Sequence, residues 1–289
     1  MAEQSESQRT APAYDRSRED VGNIVMLEHV NVTVPNQQQA TTFYVTGLGL
    51  TRDPYIDFGA FNVWVNAGKQ QFHLPTRDAQ VLRGHTGLVV PDLDELEQRL
   101  ERVSTLGNTA FDYERTASCI DVTCPWGNRI RCFEPPAFGD MALGIPYVEL
   151  DVPVGTAAGI ARFYTAIMDA PADVEGDTCI VRIGTGQTLR FRETEAELPP
   201  YDGHHIAIYI ANFSGPWAAL NERGLISEES DEHQYRFVHI VDPETGDKLF
   251  ELEHEVRSLH HPMHGRPLVN RNAAQRFGSY VQGRDAFVP

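Results

Sequence analysis

Cysteine is scarce in this chain: four in 289 residues, at Cys119, Cys124, Cys132 and Cys179, with no CxxC pair among them. That argues against a disulfide framework or a paired-thiolate metal site and fits reduced strand or core cysteines in a cytoplasmic protein. Basic residues are also few, 24 Lys and Arg against 41 Asp and Glu, for a net charge of −17. A nucleic-acid partner needs a basic surface to meet phosphates, so none is expected. No apolar run approaches the roughly 20 residues that cross a bilayer, and no membrane partner is expected. The opening stretch to about Asn23 is polar and lacks the apolar core of a signal peptide, so residues 1–24 read as a disordered lead-in. Nucleophile-elbow, P-loop and dinucleotide motifs are missing too.

What is present is a repeat. Four segments open with an alternating strand: LEHVNVTVP (27–35), GHTGLVVPD (84–92), IPYVELDVP (145–153) and HHIAIYIAN (204–212). Their alternation brings His29, His85, Tyr147 and His205 into register, at steps of 56, 62 and 58 residues (29 to 85, 85 to 147, 147 to 205). Amphipathic stretches follow, with Leu93, Leu96, Leu100 and Val103 in the second copy and Ile160, Phe163, Tyr164 and Ile167 in the third. Phe43 and Tyr44 belong to the first helix and Trp217 and Leu220 to the fourth; Gly47 and Gly49, Gly107 and Gly224 are helix stops. Each copy closes in a hairpin, ending KQQFHLP (69–75), GNRIRCFEP (127–135), QTLRFRE (187–193) and DKLFELEHE (247–255).

Strands alternate between a helix-covered face and an inner face. Val30, Val32 and Val34 point to the helices and leave His29 inward; Ile206, Ile208 and Ile210 leave His205 inward. On the closing strands Phe72 and Leu74 alternate with His73, and Phe250 and Leu252 with Glu251 and Glu253. Counting 44 to 46 residues from each opening position pairs His29 with His73, His85 with Arg131, Tyr147 with Arg192 and His205 with Glu251.

These modules resemble the vicinal oxygen chelate superfamily, which includes glyoxalase I, methylmalonyl-CoA epimerase, fosfomycin-resistance proteins and extradiol dioxygenases. The likeness covers about residues 25–255 and rests on LEHVNVTVP, FYVTGLGL, GHTGLVVPDLDEL, CPWGNRIRCFE, HHIAIYIANF and DPETGDKLFELEHE. It implies an α+β fold: four βαβββ modules forming two curled mixed sheets with helices outside, as glyoxalase-like halves at 25–136 and 143–256 and a tail at 257–289. It also implies metal ligands on the opening and closing strands of two paired modules. If modules one and four pair, the ligands are His29, His73, His205 and Glu251; if one and two pair, they are His29, His73, His85 and Arg131. Arginine cannot donate a lone pair, which favours the first set. Extradiol dioxygenases carry their metal in the last two modules, where Tyr147 here replaces the expected histidine.

The expected cofactor is a divalent metal, Fe(II) ahead of Mn, Zn or Ni, with Glu251 as both ligand and catalytic base. The expected activity is that of a dioxygenase on a small oxygen-bearing substrate. The alternatives are a glyoxalase I-type isomerase or lyase, and a non-catalytic binding or resistance protein. A homodimer is allowed. His260, His261 and His264, in the tail SLHHPMHGRPLVNRN, read as a surface loop, or else as a flap over the metal.

Overall fold

A computed structural model describes residues 16–57, 61–103, 106, 108–266 and 268. The N-terminal lead-in before residue 16, Gly107 and the tail beyond residue 268 lie outside the described residues. Just ahead of the first strand, Arg16–Glu19 makes a 3-10 turn, and buried Asn23 donates through Nδ2 to Met168 O at 3.0 Å.

Each expected module is present as strand, helix and three strands. The first comprises β1 (Ile24–Asn31), α1 (Gln37–Thr41) running on into a π-helical turn Thr42–Gly47, then β2 (Thr51–Asp57), β3 (Asn62–Ala67) and β4 (Gln70–Pro75). The second is β5 (Gly84–Val89), α2 (Leu93–Arg102), β6 (Asp112–Arg115), β7 (Ile120–Thr123) and β8 (Arg129–Phe133). The third is β9 (Tyr147–Pro153), α3 (Ala157–Ala166), β10 (Ala172–Glu175), β11 (Thr178–Arg182) and β12 (Thr188–Thr194). The fourth is β13 (His205–Ile210), α4 (Ser214–Glu222), β14 (Ile226–Asp231), β15 (Gln234–Val241) and β16 (Lys248–Ser258).

Local chemistry explains the helices. Asp92 caps α2 by accepting from Glu95 N at 2.8 Å, which satisfies an amide that the first turn leaves without a partner. Leu93, Leu96 and Leu100 then form its buried stripe, and Arg99 and Arg102 sit in its last turn, where cations complement the helix dipole. Phe43 and Tyr44, in the π-helical turn, pack their rings at 4.9 Å, and Tyr44 meets Phe72 of β4 at 5.1 Å. Phe72 neighbours His73, so the helix-covered face and the histidine face alternate as strand geometry requires.

Modules one and four share one sheet, ordered β14-β15-β16-β13-β1-β4-β3-β2. Modules two and three share the other, ordered β10-β11-β12-β9-β5-β8-β7-β6. Each sheet is mixed and has eight strands, and one apolar cluster runs through both. The expectation of curled sheets is corrected here. Both strand orders are linear, with β14 and β2 as the edges of one sheet and β10 and β6 as the edges of the other, and among the described residues no ladder brings edge to edge. The histidines need no curl to meet, because they sit on adjacent strands at the middle of an open sheet.

The two middle joints are the antiparallel pairs β1–β13 and β5–β9. At the second, Gly84 has φ +153°, and a Cβ there would stand 1.9 Å from Glu149 O. Gly84→Ala therefore has to push β9 away. We expect a loss of about 2 kcal/mol or more in urea unfolding. Gly155, with φ +86° and nothing within 4 Å, should lose less on the same change. Equal losses at the two positions would mean that the close approach at Gly84 is unimportant.

Candidate metal centre

Four adjacent strands, β16-β13-β1-β4, carry the site. Across β1 and β13, His29 faces Ala207 and Asn31 faces His205. The outer pairings extend these into two rows, Glu255–Ala207–His29–Gln71 and Glu253–His205–Asn31–His73. A two-fold operation between β1 and β13 exchanges the rows. It maps His29 onto His205 and His73 onto Glu255.

The three histidines converge. Their rings lie 5.4 Å (His29–His73), 5.8 Å (His29–His205) and 6.5 Å (His73–His205) apart, and one ligand atom from each falls within 4.8 Å of the others. His29 is wholly buried, and Trp64 stacks on His73 at 3.9 Å. Glu251 is not in this group. It lies on β16 opposite His239, with Oε1 3.2 Å from Lys248 Nζ and 3.6 Å from His239 Nε2. The carboxylates beside the cluster are Glu255, whose Oε2 is 3.6 Å from His205 Nε2, and Glu253, whose Oε1 is 3.4 Å from His205 Nδ1.

Glu255 escapes a count along the chain because the fourth module is longer. His73 follows its opening histidine by 44 residues (29 to 73), and Glu255 follows its own by 50 (205 to 255). The signal available was the continued alternation of β16, which places Glu251, Glu253 and Glu255 on one face. Glu28 was hidden for a different reason. A bulge in β1 between Leu27 and His29 turns two consecutive side chains inward, against simple alternation.

Glu28 Oε2 is 2.8 Å from His29 Nδ1, which orients the ring and leaves Nε2 toward the cluster. Tyr209 donates to Glu28 Oε1 at 3.2 Å, and Arg257 pairs with both Glu28 and Glu255. Arg236 donates to Glu253 Oε1 and Glu255 Oε2, each at 2.5 Å. Burial would raise the pKa of Glu255, but neighbouring His205 and the charges of Arg257, His29 and Arg236 hold it far below the ordinary carboxylate range. Glu28 is likewise pulled down against burial by Arg257 and His29. Burial lowers His29 despite Glu28, and lowers His73 strongly, aided by His29 and His205. Both imidazoles are therefore neutral at pH 7, with lone pairs to give.

His29 Nε2, both nitrogens of His73 and His205 Nε2 are buried and have no hydrogen-bond partner among the described residues. Buried polar atoms are rarely left so, and several pointing to one spot fit a metal ion well. The donor set suits a borderline divalent metal.

The equivalent place in the other sheet is built differently. His85 Nε2 and Tyr147 OH are 3.0 Å apart, and Arg190 lies over the Tyr147 ring at 4.0 Å. Arg131 is the register counterpart of His73 and is bonded to Asp121 at 2.7 Å. In module three that counterpart is Arg190, not Arg192, which pairs instead with Asp151 at 2.8 Å. Among the described residues no metal-ligand group forms there.

No protein-family model matches the chain, and no curated protein matches it in sequence. Solved structures do share its fold. A presumed dioxygenase from Bacillus subtilis superposes with a TM-score of 0.55 at 16% identity, over 82% of this chain and 86% of that one. Glyoxalase I from Zea mays gives 0.55 at 14% identity, over 85% and 95%.

The second sheet yields a pH prediction. Burial, reinforced by Arg131, Arg129 and Arg192, lowers His85 from 6.5 to about 4; Glu149, 3.9 Å away, does not reverse this. The unfolded chain thus takes up this proton at higher pH than the folded one. Stability from neutral His85 is complete above about pH 6.5 and is lost as pH falls toward 4, by roughly 3 kcal/mol. His85→Gln should flatten that limb when urea midpoints at pH 7 and 4.5 are compared; an unchanged acid loss would show that His85 does not cause it. The glyoxalase-type fold is what this chain shares with the solved structures it resembles.

Proposed function

We propose that the chain is a divalent-metal enzyme of the vicinal oxygen chelate kind, with His29, His73, His205 and Glu255 as ligands. The observation that carries this is the set of partnerless imidazole nitrogens converging beside a carboxylate held ionised by two arginines. A bound divalent ion would act there as a Lewis acid on a substrate oxygen. Glu28 would fix the His29 tautomer, and Glu253 and Glu255 are the two carboxylates beside His205. Arg257 and Arg236 keep Glu255 anionic while it is buried.

An isomerase or lyase of the glyoxalase type is favoured over a dioxygenase. Four protein donors leave two positions on an octahedral ion, and a substrate chelating through two neighbouring oxygens fills both. Dioxygen would then need a position of its own. The likeness to the Bacillus subtilis protein keeps a dioxygenase as the second reading.

Protein purified without oxygen should carry about one equivalent of divalent metal. Replacing His29, His73 or His205 with Ala should lower affinity at least tenfold, and Glu255→Gln should do so by ten- to a hundredfold. Glu251→Gln should leave metal content unchanged; the reverse ranking of the two glutamates would return the ligand role to Glu251. Solvent deuterium entering α-hydroxyketones without oxygen uptake supports the isomerase or lyase. Bound iron with catechol-dependent oxygen consumption would replace it with the oxygenase.

A further inference from the structure

A cavity of about 400 Å³ lies between the inner face of the first sheet, at Glu28 and Gln71, and the segment that follows β16. Glu28 links it to the histidine cluster: the residue lines the cavity, and its carboxylate bonds His29. Much of the wall is apolar, from Met26, Tyr209, Met263 and Leu268.

Arg266 also lines it, with a side chain only 4% exposed. Its Nη2 donates to Asp53 Oδ2 at 2.6 Å and to Gln71 Oε1 at 3.1 Å. Its Nε and Nη1 are buried and have no acceptor among the described residues. Lys69, exposed on the same cavity, has no carboxylate within 4 Å among the described residues. Glu28 brings no free negative charge, since Arg257, His29 and Tyr209 all engage it. Lys69 and Arg266, the latter paired with Asp53 through Nη2 but with two buried N–H groups unused, thus line an apolar cavity in a chain whose net charge is −17.

We propose that this cavity binds a small organic acid. Its apolar body lies against Met26, Tyr209, Met263 and Leu268, its carboxylate meets the free N–H groups of Arg266, and a further oxygen reaches toward the histidines. A buried guanidinium with unused donors is satisfied by an anionic acceptor and gains little from a neutral one. Only the reach toward the histidines rests on the metal reading above; the recognition of the carboxylate does not.

Calorimetry on the full chain, metal-free and Mn(II)-loaded, tests this with benzoate and 4-methylpentanoate against their primary amides. The acids should bind at least tenfold more tightly than the amides, and Arg266→Gln should abolish that preference while Mn(II) affinity stays unchanged. The segment has a second tether, Asn66 Nδ2 to Leu268 O at 2.7 Å, which Arg266→Gln leaves in place. Asp53→Asn separates recognition from latching. It removes the anion that competes for the guanidinium, so acid binding should hold or tighten. Equal binding of acids and amides, no binding of either, a preference surviving in Arg266→Gln, or a loss in Asp53→Asn matching that in Arg266→Gln would each overturn the proposal. An acid preference that persists in protein unable to bind Mn(II) supports it while removing the metal reading.

Discussion

The antiparallel register between β1 and β13 is the constraint on which the site depends. Opposing Asn31 to His205 and His29 to Ala207 sets the two opening histidines diagonally across one joint, on one face. The parallel ladders outside that joint then bring His73 and Glu255 in from either side. A slip of one residue would turn a strand's inner set into the core, so the apolar alternation that stabilises the sheet also fixes where the polar atoms converge. Stability and site geometry share one cause.

Around that joint lies a buried ionic chain, Arg236–Glu255–Arg257–Glu28, ending on His29. Charges this deep cost desolvation energy, and their mutual attraction offsets it only when each is fully paired. The pairing here is close, and its effect is chemical as well as structural. It keeps two carboxylates ionised in a buried place, one beside the cluster and one behind a histidine, while burial keeps His29 and His73 neutral.

The second sheet has the same topology and a different chemistry. His85 and Tyr147 stand where His29 and His205 stand, but their joint is closed by a hydrogen bond between them, and the flanking positions are arginines tied to Asp121 or stacked on Tyr147. Its polar groups satisfy one another, whereas imidazole nitrogens of the first sheet converge with no hydrogen-bond partner among the described residues. One scaffold therefore supports a ligand set in one sheet and a self-contained network in the other.

The sequence by itself determined the four modules, their helix-covered faces and the inward direction of His29, His73 and His205, because periods of two and of 3.6 residues are local properties of the chain. Pairing of module one with four was only favoured from ligand chemistry; the strand order decided it. Tertiary structure alone decided that Glu255, not Glu251, sits beside His205, since that depends on parallel register across a module whose last two strands are longer than those of module one. It likewise decided the place of Glu28, through a bulge that breaks alternation, and of Arg266, through a segment folded back over the first sheet. It also decided that the sheets are open, because whether edges meet depends on pairing between strands far apart in the chain, which no local pattern encodes.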